Sequence, residues 1–347
     1  MGPTVVVAEK PSVGRDIARV LGVTKGTVSK ALNGAADVSS AMRRAVVETA
    51  VELGYSRPRR GDEAPRLAVF ITNMAYEHPE DFGYDILVGF RKMAEPAGYS
   101  VHVIPLTIEL EEQIPYEQYM LRENYLGALF LGLSLRDPWL KDFETCTSPT
   151  VLYDNRVTGN PRVTYVGADN GEGLHLAVQY LAGLNHRRIG YLSSALGAYV
   201  YRQRYEAFFQ AMRDNRLPCG KGMARNSYHQ HICLDEHLPA LLKQGCTAIV
   251  CSHDTLAQAV LERCREKGIR VPEDVSILGF DDLPLCESCT PALTTIRQDR
   301  TELGKSAYCA MASQIEGVAP STFLLHTELI PRSSCAAARE RAPGIDH

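Results

Sequence analysis

Residues 13–34 read VGRDIARVLGVTKGTVSKALNG, and the spacing within this stretch sets the fold of the whole front of the chain. Ile17, Val20 and Leu21 fall at i, i+3 and i+4, one apolar stripe of an amphipathic helix over 13–21. Gly22 supplies a left-handed position after that helix, and Thr24 can cap a second helix over 25–32. There Val28, Ala31 and Leu32 face inward, Lys25, Thr27, Ser29 and Lys30 face outward, and Asn33-Gly34 ends the element. Ser39 or Ser40 caps a third helix, with Val46, Val47, Ala50 and Leu53 inward and Gly54 past its end. Three short helices in this order form a helix-turn-helix unit, whose second helix lies in the major groove of DNA.

Charge supports that reading. Residues 1–60 carry ten Lys/Arg against five Asp/Glu, a net +5, so a chain whose total is −4 leaves −9 on the remainder. A cationic module on an acidic body suits a polyanionic partner.

The segments DIARVLGVTKGTVSKALNG and VSSAMRRAVVETAVELGY resemble the DNA-binding headpiece of the lactose-repressor (LacI/GalR) family of bacterial transcription regulators. The resemblance implies base readout from Lys25, Gly26 and Lys30. Gly26 has no side chain to read with, so the two lysines carry that work, each worth about 1–3 kcal/mol of discrimination at guanine. Thr24, Thr27, Ser29 and Asn33, with Ser12, would hold phosphates and fix register. Ahead of them, residues 4–8 (TVVVA) read as a strand ending in Glu9-Lys10-Pro11-Ser12, similar to the opening of a type I topoisomerase. The chain is too short for that architecture and no Asp-x-Asp pair follows, so residues 1–12 are expected as an extended lead-in.

The broader composition is that of a globular protein: 347 residues, 45% hydrophobic and 22% charged. No apolar run approaches the length of a membrane span, and the VVVA run is too short for a signal-peptide core. Ten cysteines are scattered without a disulfide framework, which fits reduced thiols and a cytoplasmic setting. Residues 1–55 are thus expected as the DNA-binding domain, 56–66 (SRPRRGDEAPR) as the linker and 67–340 as a second, larger domain. The family carries a longer hinge with a leucine that wedges into the minor groove. This linker is shorter and has no leucine, leaving Arg57, Arg59 and Arg60 as contacts to DNA backbone or a narrow minor groove.

Beyond the linker the pattern alternates. Strands are expected at 66–72, 99–104, 126–132, 150–153, 188–193, 246–252 and 275–279, and helices at 84–95, 111–122, 171–184, 200–215, 235–244 and 254–267. This is a doubly wound α/β body of two parallel-sheet lobes. The N-lobe is expected at 67–163 plus 294–322 and the C-lobe at 164–291 plus 323–340, with the C-terminal return crossing between them. Ligands of such sheets sit beyond the carboxyl ends of strands. The polar residues at those ends, Thr72-Asn73, Leu133-Ser134, Asp154-Asn155, Ser193-Ser194, His253-Asp254 and Phe280-Asp281-Asp282, point to one interlobe cleft. Helix capping accounts for Asp254 and could account for Ser194.

HRRIGYLSS, YRQRYEAFF, TAIVCSHDTLA, VPEDVSILGFDD and PALTTIRQD resemble the periplasmic-binding-protein-like core of the same family. The effector contacts this implies are Asn73, Tyr84, Asp154, Arg204, His253, Asp281 and Gln298, with Tyr228 as an apolar wall. His253 stands where the family has a polar amide. The helices after Asn73 and at Asp254 and Asp282 are implied dimer surfaces. His229, His231, Cys233 and His237 match no structural zinc spacing, and the acidic surroundings of Cys286 and Cys289 argue against redox chemistry. No metal, cofactor or catalytic residue is expected. The function that follows is a homodimeric regulator of double-stranded operator DNA, responsive to a sugar-like effector and not embedded in a membrane. A ligand sensor with weakened DNA binding and a sugar-processing α/β enzyme are the alternatives; the second needs a nucleophile–base pair.

Overall fold

A computed structural model describes residues 13–32, 38–39, 41–42, 45–46, 49–50, 53 and 64–339. Asn33, Arg57, Arg59, Arg60, Ser12 and the 4–8 run lie outside the described residues.

Helix α1 (Val13–Leu21) and helix α2 (Lys25–Leu32) are joined at Gly22, whose φ of +65° is the left-handed position expected of it. The Val23 amide returns to the Ala18 carbonyl at 3.0 Å, and Thr24 Oγ1 accepts the Thr27 amide at 3.1 Å, capping α2. Ser39 Oγ accepts the Met42 amide at 3.2 Å, as a cap does, and Ser40 lies outside the described residues. Ile17, Ala18, Val28, Ala31, Val46 and Ala50 form the small core. Val20, expected inward, is 56% exposed, because the buried stripe of α1 runs through residues 17, 18 and 21. Leu53 is also partly exposed, at 38%.

The body holds two six-stranded sheets. The first runs β2 (Ser100–Pro105), β1 (Arg66–Ile71), β3 (Tyr125–Leu131), β4 (Thr150–Tyr153), β5 (Val163–Ala168) and β11 (Thr322–Leu325), all parallel. The second runs β7 (Ala224–Ser227), β6 (Ile189–Ser194), β8 (Ala248–Cys251), β9 (Ser276–Asp281), β10 (Thr294–Arg297) and β12 (Glu328–Ile330), with only the β10–β12 pair antiparallel. Strand order reverses beside β1 in one sheet and beside β6 in the other, which opens a crevice at each set of carboxyl ends.

The expected lobe limits shift. β5 belongs to the first sheet, so the first crossing follows residue 168 rather than 163; β10 belongs to the second, and β11 to the first. β5 (VTYVGA) is buried on both faces and mixes Thr and Gly into its apolar run, and β7 (ARNS) is polar, so neither shows a strand period. The helix expected over 111–122 is two helices, Ile108–Gln113 and Tyr116–Glu123. Pro115 disfavours helical backbone at the residue before it, and Ile114 takes φ −149°, ψ 130°.

Two helices of the first lobe, Phe82–Ala94 and Arg300–Ile315, cross with almost no gap. A Cβ on Gly89 would strike the Thr301 carbonyl, and one on Gly304 the Ile86 carbonyl. Among the described residues, no helix is long and apolar enough to cross a membrane.

Candidate functional site

The strand ends that face the crevice are built from residues that side-chain sterics disfavour. Asn73, Asp154, Asp281 and Asp282 take φ of 49°, 51°, 118° and 54°. Asn and Asp tolerate the left-handed region better than other residues, but Asp281 lies outside it; such positions cost about 1–3 kcal/mol each and collect at ligand sites.

Arg204, on helix Tyr199–Asp214, is the hub. It is buried, its Nε donates to Asn170 Oδ1 at 2.8 Å, and its Nη1 donates to the Ser252 carbonyl at 2.5 Å and to Asp281 Oδ1 at 3.2 Å. Its guanidinium carbon sits 3.7 Å from the centroid of the Phe280 ring. Asp281 also accepts from Gln298 Nε2 at 2.7 Å, and Gln298 Oε1 accepts the Tyr153 hydroxyl at 3.3 Å. One chain of hydrogen bonds therefore runs from the second lobe, through the crossover segment, to β4 of the first. Tyr165, on β5, adds a further bridge by donating to Gln203 Oε1 at 3.0 Å.

Asp154 stands beside this network. Burial pushes its carboxyl up to about 6, with Arg204 opposing and Asp281 adding to the rise, and its Oδ1 is buried without a partner among the described residues. An acceptor in that condition favours a hydroxyl or amine donor from a ligand.

His253 is the N-cap of helix Asp254–Glu266, its Nδ1 accepting the Leu256 amide at 3.2 Å. Since an amide can only donate, Nδ1 is unprotonated and Nε2–H donates to Ser194 Oγ at 2.9 Å. Burial, with the Arg204 charge, pushes the imidazole down to about 4. Capping therefore belongs to His253, not to Asp254 as expected, and the helix after Ser194 begins at Tyr199 with Ala198 at its cap. Asp254 is wholly buried and accepts from the Leu283 amide at 2.9 Å and the Thr295 hydroxyl at 2.6 Å.

Of the residues singled out from sequence, Arg204, Asp281 and Gln298 are bonded together. Asp154 and His253 lie within electrostatic reach of Arg204. Tyr228 is 85% exposed and, with Ser194 and His253, lines a cavity of about 270 Å³ at the ends of β6 and β8. Asn73 turns its amide to the Gly132 carbonyl at 3.3 Å, and Tyr84 is half-buried on helix Phe82–Ala94; neither joins the Arg204 network among the described residues. Sequence reasoning missed Asn170, Tyr153 and Gln203. Asn170 follows β5, the strand whose pattern was not legible, so its place at a strand end could not be read.

A Ser–His contact invites an enzymatic reading, but the tautomer opposes it. A base must accept the serine proton at Nε2, and here the amide of Leu256 holds the proton on that nitrogen. Cys286 and Cys289 are free thiols with their pKa raised, chiefly by burial and then by Asp254. Of the His/Cys run, Cys233 is buried and donates to the Ser193 carbonyl at 3.5 Å, while His237 Nε2 meets the Asn226 carbonyl at 3.2 Å. Among the described residues no His/Cys/Asp/Glu group has the makings of a metal site.

Comparison with known proteins agrees with this arrangement from end to end. A model of bacterial regulatory proteins, lacI family, matches residues 15–58, and a model of the periplasmic binding protein-like domain matches residues 178–335. The HTH-type transcriptional repressor CytR of Escherichia coli K12 is 28% identical over 343 residues, covering 95% of this chain and 98% of CytR. The chain belongs to the LacI/GalR family. The HTH-type transcriptional regulator MalR of Streptomyces coelicolor is 27% identical, over 93% of this chain and 96% of MalR. The transcriptional regulator CelR in complex with cellobiose matches with a TM-score of 0.67 at 26% identity, over 94% of this chain and all of that one. A lac repressor dimer bound to operator and the anti-inducer ONPF shares the fold at a TM-score of 0.64 and 23% identity, over 93% and 98% of the two chains. These LacI/GalR relatives are regulators rather than enzymes, which accords with the tautomer of His253.

Proposed function

We propose that this LacI/GalR member is a cytoplasmic, homodimeric repressor that α2 anchors to operator DNA and that a sugar or sugar derivative controls from the interlobe crevice. The observation that carries the reading is the Arg204–Asp281–Gln298–Tyr153 chain. It sets paired acceptors and a planar donor at strand ends contributed by both lobes. A polyhydroxyl ligand would supply the donor that Asp154 Oδ1 lacks, and Tyr228 would cover the C–H side of a ring. Filling the crevice biases a domain-closure equilibrium, and that bias is the coupling between ligand and DNA. At the other end, Lys25 and Lys30 are exposed on α2, and two copies present two such helices to a near-palindromic site.

Two measurements on the purified protein test this. Its own promoter fragment should bind with an affinity that falls steeply with salt. One member of a panel of mono- and disaccharides, cellobiose and maltose among them, should raise the melting temperature and change that affinity. A ligand at 100 times its Kd adds about 2.7 kcal/mol to stability. Indifference to promoter DNA at low salt would end the DNA-binding half of the proposal, and a silent sugar panel the other half.

A further inference from the structure

The chain returns from the second sheet to the first between β10 and helix Arg300–Ile315, and the first residue of that helix is a buried arginine. Arg300 Nη2 donates to Asp85 Oδ2 at 2.9 Å, on helix Phe82–Ala94 of the first lobe. Its Nη1 donates to the main-chain carbonyls of Asp281 and Asp282, each at 3.4 Å, at the end of β9 in the second lobe. The close crossing at Gly89 and Gly304 ties the arginine's helix to helix Phe82–Ala94, so Arg300 moves with the first lobe. What it grips in the second is the one pair of consecutive non-glycine residues at positive φ among the described residues.

We infer that Arg300 is a positioning residue, a latch between the lobes through which the state of Asp281 in the ligand crevice reaches helix Phe82–Ala94. The inference deepens the ligand-responsive reading above and rests on it for its biological meaning. The Asp281 carboxylate holds Arg204 and Gln298, while its carbonyl holds Arg300. A ligand that draws on the carboxylate pulls on a strained peptide whose other side is fastened to the first lobe. Small shifts at such a point are passed on as lobe rotation, because packed elements move as rigid bodies. Asp85 supplies the countercharge that keeps the guanidinium in place, and a charge-assisted contact of this kind is stronger than the neutral bonds around it.

The test compares the full-length wild type with Asp85→Asn, Arg300→Met and the double variant. Asp85→Asn is near-isosteric at a partly exposed position, so it keeps the latch testable if Arg300→Met folds poorly. The first readout is the radius of gyration in solution without ligand. Loss of the latch raises it in each single variant, and the double variant does not exceed Arg300→Met, since that change already removes the Asp85 pair together with the bonds to the Asp281 and Asp282 carbonyls. The second readout, which a merely structural residue would leave alone, is affinity for the promoter fragment at fixed salt. It should shift by about fivefold or more, the lower end of ordinary coupling. Wild-type values on both readouts in Asp85→Asn, or effects that simply add in the double variant, overturn the latch. If the wild type itself does not bind promoter DNA, the regulatory reading fails, and the radius of gyration alone decides the latch.

Discussion

His253 donates its Nε2 proton to Ser194 because its Nδ1 is taken by the amide of Leu256. The imidazole can therefore not become charged without releasing the helix end that it caps. Its pKa of about 4 lies below the ordinary 6.5, so the unfolded chain binds the extra proton first. The stability this contributes is fully present above pH 6.5 and is lost as the pH falls toward about 4. His253→Ala should cost about 1 kcal/mol at pH 7, the ordinary value of an N-cap. His253→Asn, which keeps a capping oxygen and nothing to titrate, should hold its stability at pH 7 and lose less on acidification. Urea midpoints from pH 4 to pH 7.5 for the three proteins check both expectations; an unchanged acid limb in His253→Asn refutes the assignment.

Arg204 and Asp281 form a buried pair, and removing one member leaves the other charged in a site that cannot solvate it. Arg204→Met should destabilise the protein by about 3–5 kcal/mol, the usual result of orphaning a buried partner. Adding Asp281→Asn should recover a large part of that loss, because the surviving amide no longer carries charge and Gln298 remains beside it. Chemical denaturation of the single and double variants measures the difference, and a double variant as weak as the sum of the singles would show that packing on Phe280 dominates.

Much of this site was legible in the sequence, and what was hidden has identifiable causes. Gly22, Thr24 and Ser39 announce the headpiece turn and caps because those roles depend on residue type within a few positions. Asp281 was legible as the polar end of an apolar strand, and Gln298 through the resemblance of PALTTIRQD to the family core. Arg300 was not: nothing local distinguishes a buried arginine at a helix start from an exposed one, and its partner Asp85 is 215 residues away. The same applies to Gly89 and Gly304, whose need for a missing Cβ exists only once two distant helices cross. Val20 was misplaced because a nine-residue helix carries too few turns for two neighbouring stripes to be told apart by spacing.

Lys25 and Lys30 are exposed along α2, with Gly26 between them adding no side chain. Each lysine that neutralises a phosphate, or reaches a guanine with the same release of counterions, contributes about 0.9 to the slope of log affinity against log salt. Lys30→Ala should reduce that slope by about 1 and weaken binding to the promoter fragment. If the contact is to a base rather than a phosphate, the loss should be larger on the specific fragment than on random DNA. Fluorescence anisotropy titrations at several salt concentrations, on both DNAs, separate the outcomes.

Asp254 should act on stability in the opposite sense to His253, one residue before it. Burial, then the neighbouring Asp281, pushes its carboxyl up to about 7, so the folded protein holds a proton that the unfolded chain gives up. Its contribution is therefore largest below about pH 3.8 and is lost as the pH rises toward about 7. Asp154, raised to about 6 by burial, works in the same direction. In the wild type these trends oppose the one from His253 and flatten the profile between pH 4 and 6.5. Asp254→Asn keeps an acceptor for the Leu283 amide and removes one of the opposing trends, so its stability should climb more steeply with pH than that of the wild type. Combining it with His253→Asn should flatten the curve again. A profile for Asp254→Asn that runs parallel to the wild type would mean the carboxyl is ionised in the fold throughout, held so by Leu283, Thr295 and the start of its own helix.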